Sequence, residues 1–379
     1  MAFDPLPSPK HDLPSILRHR TTSVVTGLAL LLVLTITMQS SSLGQTVARQ
    51  VEQATTSLTT LLRLTPDPEA GPAPDRMAAH PSRALAPYLD PDAITATTNA
   101  PVLNHFHDLL RQFEQRQGED DNFTVRVIDR RSEQTLEVYE LSELRAQYER
   151  DGTIAWRQVD QERREATEQL VDKYVERGVP KEDIIVRWGR ANQVQQAHER
   201  DRPYATYEVQ LAEALGLSLL PSEIGTVETF NQDGLVSSAG ARSRYQMLPW
   251  ILRYSGVNRY HLPTTSGTYI QIKEELHPLL VLEPAFLLLR GYVNAVGHEI
   301  PGLSAYHAGP GTIYNLYELY YEHSGRFSGS STVADAYLWA ATEGFETARE
   351  KTPFGPFSRG YIPSLYGAIK AHDDVPIKP

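Results

Sequence analysis

The chain has 379 residues, a formal net charge of -11 and no cysteine. The length leaves room for two domains, at least one with a sizeable core. The acidic balance argues against a nucleic-acid partner, which asks for a basic face, and the missing cysteine excludes disulfides, thiolate catalysis, cysteine-ligated zinc and a lipoprotein anchor.

Arg18, His19 and Arg20 precede an uncharged run whose apolar centre is Val24–Met38. A basic flank before an apolar stretch is the pattern of an export signal. The centre is shorter than the roughly 20 residues of a comfortable membrane span, yet longer than a common signal core. Residues 1–45 are therefore read as a signal peptide, cut among the small residues of Ser42–Gln45, or as a retained inner-membrane anchor; a buried helix is the third possibility. The two leading readings place the remainder outside the cytoplasm, in the cell envelope and periplasmic.

Residues 46–101 read as a linker. Val47, Val51, Leu58 and Leu61 fall near one face of a short helix, and eight prolines between Pro66 and Pro101 then predict an extended, semi-rigid spacer. Residues 102–202 read as a small α+β region. Val102, Phe106, Leu109, Leu110 and Phe113 have helical spacing, Phe123–Leu141 alternates around a polar turn like a hairpin, and Gln158–Arg177 is a charged, exposed helix. His105 and His107 lack further ligands at useful spacing, so they predict surface or half-buried histidines rather than a metal site.

From Pro203 the texture changes to short apolar helices separated by Gly, Pro and Ser turns. Helices are predicted over 204–217, from Pro221 with Glu228 near its C-terminal end, over 283–296, 311–323 and 332–350, and over 361–371. Fifteen of the 19 tyrosines lie between Tyr204 and Tyr366. They suit a groove that stacks on a polar ring and also hydrogen-bonds it, or a tyrosine-rich core.

Within this half Glu228 is followed by Ser237, Gly240-Ala241, Ser243-Arg244-Tyr245-Gln246 and Pro249, then by Ala305-Tyr306-His307-Ala308-Gly309, and finally by Arg359-Gly360-Tyr361-Ile362-Pro363. This order and spacing resemble the soluble-type lytic transglycosylase domain, most closely the membrane-bound murein transglycosylase D group, over roughly residues 203–372. The resemblance implies a mainly α fold with a lysozyme-like C-terminal domain that cuts the glycan strands of peptidoglycan. It implies no metal and no organic cofactor. Glu228 would be the single catalytic residue, an acid toward the bond between N-acetylmuramic acid and N-acetylglucosamine, then a base toward the C6 hydroxyl as a 1,6-anhydro ring closes.

An acid of this kind stays protonated near neutrality only in an apolar, partly dry pocket; Tyr245, Met247, Tyr306 and Tyr361 are expected to wall it. Substrate contacts are expected from Ser237, Tyr245, Gln246, Tyr306, His307 and Tyr361. Turn-bracing roles for Ser237 and Gln246, core roles for the tyrosines and a structural role for His307 stand beside them. Glu223 and Asp233, five residues to either side of Glu228, are expected to be solvated charges rather than a second acid. The sequence departs from the family at Thr229, Asn231, Ser243, Arg244 and His307. Ser243 and Arg244 place a lost glycine and a cation beside the presumed sugar path. A silent glycan-binding scaffold and a lysozyme-type hydrolase are the rival readings.

Overall fold

The computed structural model describes residues 85–89, 100–324 and 333–373. Residues 1–45, expected to be a signal or anchor, the helix expected over 46–64 and most of the proline-rich stretch lie outside the described residues. Within them the chain is mostly helical, with a small three-stranded sheet and one hairpin.

One large core holds the C-terminal half together, and it also takes in the start of the supposed N-terminal region. Helix α1 (Ala86–Leu89) follows the buried Leu85, and the Tyr88 carbonyl lies 3.0 Å from His107 Nε2. Residues 85–89 of the expected spacer are thus docked, because Leu85 finds a place in the core. Helix α2 (Ala100–Glu114) buries Phe106, Leu109, Leu110 and Phe113 along the stripe their spacing predicts, with Leu103 buried beside them and Val102 only half-buried. It lies against α15 (Tyr361–Asp373), the last helix. Gly367 permits that approach, since a Cβ there would stand 2.6 Å from the Phe113 carbonyl oxygen. No boundary therefore separates 102–202 from the rest at α2.

A π-helical turn, Gln115–Glu119, leads from α2 into the sheet. Strands β1 (Thr124–Asp129) and β2 (Gln134–Glu140) form the expected antiparallel hairpin. Helices α3 (Ser142–Asp151) and α4 (Trp156–Glu176) follow, and β3 (Ile184–Trp188), a strand that the spacing of apolar residues did not predict, pairs with the other edge of β1. Alternation along β3 sorts its side chains. Ile184, Val186 and Trp188 pack with Leu170 and Tyr174 of α4, while Arg187 lies over the Phe113 ring of α2, 4.3 Å from its centroid.

Helices α5 (Ala191–Asp201), α6 (Ala205–Ala214) and α7 (Ile224–Thr229) lead to the residues of interest. Helix α8 (Pro249–Tyr254) precedes an exposed hairpin, β4 (Arg259–Pro263) with β5 (Tyr269–Lys273), which the expected run of helices did not include. The central helix α9 (Pro278–Val296) is buried along most of its length and packs against α10 (Glu299–Ala308). Gly309, at φ 81°, separates α10 from α11 (Pro310–Ser324). The helix expected over 332–350 is two, α12 (Val333–Ala341) and α13 (Phe345–Lys351), and the short α14 (Pro356–Arg359) brings the chain to α15.

An ion pair buried between the two halves fixes their relation. Arg359 Nη2 donates to Glu133 Oε1 at 2.6 Å, and Glu133 is fully shielded from solvent. Burial alone would raise the Glu133 carboxyl, but His105, the Arg359 charge and Gln112 overcome it and hold the group down at about 2. Arg359 stands two residues before Tyr361, so the sheet hairpin is tied to the segment that carries the candidate site.

Candidate active site

Glu228 sits in the last turn of α7, and the end of that short helix is fixed by its own backbone. Phe230 and Asn231 are both left-handed, at φ 52° and 57°. The Asn231 N–H donates to the Gly225 carbonyl, and its side-chain amide donates to the Ala197 carbonyl and to Thr226 Oγ1, both at 3.1 Å. A Cβ on Gly225 would stand 2.1 Å from Asn231 Oδ1, so only glycine fits under this wrapped end. Asn231, where the sequence departs from the pattern it resembles, is a buried brace here.

The Tyr361 hydroxyl donates to Glu228 Oε1 at 3.0 Å. Burial pushes the Glu228 carboxyl up to about 7, against the lowering effect of that hydrogen bond, and no cation contributes. A half-buried carboxyl whose open side faces a cavity has the environment that a general acid needs at neutral pH. The cavity is about 320 Å³; Val227, Glu228, His307, Phe357 and Tyr361 line it from the C-terminal half. Among the described residues Glu228 is the only carboxylate in that lining. Phe113, Arg116, Arg187 and Arg190 form the facing wall.

Tyr306 and His307 arrive from α10. The Tyr306 hydroxyl donates to the Tyr245 carbonyl at 2.7 Å; burial and then the charge of Glu228 raise its own pKa well above the ordinary value. His307 is exposed on one face and stacks with the other on Tyr361, ring centres 5.0 Å apart. That covered face lowers the imidazole pKa, so His307 is neutral at pH 7. The structure thus assembles Glu228, Tyr306, His307 and Tyr361.

Ser237, Tyr245 and Gln246 are elsewhere. Ser237 Oγ accepts from the Ala241 N–H at 3.0 Å and closes the turn over 237–241. Gln246, at φ 48°, donates through Nε2 to the Ser243 and Leu235 carbonyls and braces its own loop. The expected sugar contact from Tyr245 is corrected: its side chain is wholly buried, edge-on to Phe286, and its hydroxyl donates to Glu208. Met247 also lies in the core rather than beside Glu228. The turn nevertheless serves the site through its backbone. Thr229 Oγ1 reaches the Arg244 carbonyl at 3.0 Å while Tyr306 holds the next one, so α7 and α10 are registered on two consecutive peptide groups.

Ser243 and Arg244, two residues that the sequence pattern placed beside a groove, are both buried. Ser243 keeps a left-handed backbone, φ 69°, at a position with no exposed surface. Arg244 is 1 % exposed; its guanidinium donates to Asp233 at 2.7 Å and to Asp201 at 2.8 Å, and stacks on Tyr204. No cation therefore projects from residue 244 into a groove. Asp233 and Glu223 are also not solvated charges, since Asp233 pairs with Arg244 and the buried Glu223 lies 3.1 Å from His198 Nε2. Behind them burial drives Asp201 up to about 6 and raises Glu208, which accepts from the Tyr245 hydroxyl, well above its ordinary value.

Spacing and motif gave no hint of Phe357, 82 % exposed at the cavity, or of the three arginines of the facing wall. Phe357 lies one residue before the Ser358–Pro363 segment, a usable signal; the arginines are scattered among ordinary surface charges and carried none. Compared with known proteins, the chain matches no family model and no curated sequence.

Proposed function

We propose that the chain is a peptidoglycan lytic transglycosylase with a lysozyme-like catalytic domain, exported or anchored through residues 1–45 so that it meets glycan strands in the periplasm. One observation carries the proposal: a lone carboxyl, raised to about 7, hydrogen-bonded to Tyr361 in a cavity whose described lining holds no second acid. Hydrolases that use two carboxylates need a partner across the scissile bond. A single acid suits a reaction in which the substrate supplies the second function.

In this mechanism neutral Glu228 gives its proton to the glycosidic oxygen as the bond from muramic acid C1 to that oxygen breaks. The cationic centre at C1 is met by the substrate's own N-acetyl carbonyl. Glu228, now a carboxylate, takes the proton of the C6 hydroxyl, and O6 closes on C1. The acid is regenerated and no water is consumed. Tyr361 holds the carboxyl in place and stabilises its charged interval, while Phe357 offers an aromatic face for a sugar ring at the cavity mouth. The scheme calls for no metal or organic cofactor.

Purified sacculi provide the test. The protein is expected to reduce their turbidity, and Glu228→Gln, an isosteric change that keeps an acceptor for Tyr361, is expected to abolish the loss. Tight binding to sacculi without clearing would replace this reading with a silent scaffold.

A further inference from the structure

The wall opposite Glu228 has an unusual composition. Arg116, Arg187 and Arg190 all face one cavity, and none forms an ion pair with a carboxylate among the described residues. Three routes bring them together. Arg116 is on the π-helical turn after α2, where its Nε donates to the Trp188 carbonyl at 3.0 Å. Arg187 is on the face of β3 turned away from α4, with its guanidinium over Phe113 and its Nε 3.3 Å from Gln112 Oε1. The backbone of Arg190 is fixed by its N–H to the Arg116 carbonyl at 2.8 Å, and its side chain stacks on Phe230.

Like charges gathered without an ion-paired carboxylate are costly, and a fold tolerates that cost where a ligand supplies the missing sign. Burial, then Arg190 and Arg187, push the Arg116 guanidinium down; burial and then Arg359 push Arg187 down against the smaller pull of Glu133, and burial lowers Arg190. Guanidinium groups keep their protons at neutrality regardless, so this pressure is a repulsion that an anion would relieve. Planar forks of this kind match a carboxylate with two parallel hydrogen bonds.

We propose that Arg116, Arg187 and Arg190 form a carboxylate-binding subsite, contributed by the region 102–202, that anchors the acidic stem of the glycan strand while Glu228 acts on its backbone. The identity of the strand rests on the transglycosylase reading; the anion site itself does not. Peptidoglycan offers two carboxylate sources beside a scissile bond. One is the peptide attached to muramic acid, with its glutamyl and terminal carboxylates. The other is the lactyl group itself, which carries a free carboxylate only where the peptide has been removed.

The test uses the full chain carrying Glu228→Gln as a non-cleaving binder, and the same protein with Arg187→Gln, Arg187→Lys or Arg190→Gln added. Three probes are titrated: the free stem peptide, amidase-stripped glycan and neutral chitin oligosaccharide. Loss of one fork is expected to weaken binding of a carboxylate probe roughly ten- to hundredfold, with chitin binding unchanged and Arg187→Lys in between. Weakening confined to the peptide assigns the peptide carboxylates; weakening of stripped glycan assigns the lactyl group. The melting temperature of Arg187→Gln is expected to stay level or rise, because one of three repelling cations is gone. Unaltered binding of both carboxylate probes in both Gln variants, or a lower melting temperature with unaltered binding, overturns the subsite. Arginine-dependent peptide binding in a chain that does not clear sacculi keeps the subsite and overturns the transglycosylase reading instead.

Discussion

Replacing Glu228 by Gln removes one titration, and its energetic size follows from the structure. The carboxyl has an ordinary pKa of 4.5 and is raised to about 7 in the folded protein, chiefly by burial. Below pH 4.5 the group is protonated in the folded and unfolded chains alike, and its contribution to stability is fully present. Between 4.5 and 7 the unfolded chain gives up a proton that the folded chain keeps, so unfolding becomes steadily easier and the contribution is lost as pH rises through the folded value. At about 1.4 kcal/mol per unit the full shift amounts to about 3 kcal/mol, and water entering the cavity trims this to about 1–3 kcal/mol. Gln does not titrate and still accepts from Tyr361. Urea denaturation of both proteins, followed by tryptophan fluorescence at pH 5 and pH 8, gives the difference with the other groups cancelled. Relative to wild type, Glu228→Gln is expected to gain about 1–3 kcal/mol between the two pH values. A difference that is flat with pH would mean that Glu228 titrates like a surface acid, and the argument for a neutral general acid would fail.

Four further outcomes follow from other contacts. Tyr361→Phe removes the hydrogen bond that favours the ionised Glu228, so the basic limb of the pH–rate profile is expected to move up by about one unit as the rate falls; an unmoved limb would show that the contact does not persist in solution. Arg244→Leu strands Asp201 and Asp233 and is expected to cost about 3–5 kcal/mol in denaturation, whereas a changed KM with intact stability would put Arg244 in the groove after all. Gly225→Ala drives a methyl into the held Asn231 side chain and is expected to cost about 2 kcal/mol while lowering kcat more than KM, read from melting and sacculus kinetics. Glu133→Gln is expected to cost about 3 kcal/mol at pH 7, a stabilisation present above pH 4.5 and lost as pH falls toward about 2, so the gap between the two proteins closes in acid denaturation.

The sequence made some of this plain because periodicity reports burial directly. The stripe of α2, the β1–β2 hairpin and the helix ending near Glu228 were all legible from spacing. Strand β3 was not: Ile184–Trp188 is a short run of five residues after a turn, and only its pairing with β1 shows that Arg187 faces the cavity. The β4–β5 hairpin was hidden for a different reason, since every residue of β4 and most of β5 are exposed and no core face imposes a pattern. Arg244 illustrates the harder limit. Its partners lie 43 and 11 residues away, so nothing local distinguishes a buried, doubly paired cation from one beside a substrate. Tyr245 was misplaced because a motif records which residue is kept and not whether its side chain or its carbonyl is used; here Tyr306 takes the carbonyl.

The most direct measurement is the mass of the fragments released from sacculi. Turnover through Glu228 with ring closure by the C6 hydroxyl predicts muropeptides ending in 1,6-anhydro-N-acetylmuramic acid, one water lighter than reducing ends, and none from Glu228→Gln. Reducing ends from the wild-type protein would instead require an attacking water, and release undiminished in the Gln variant would remove Glu228 from the chemistry altogether.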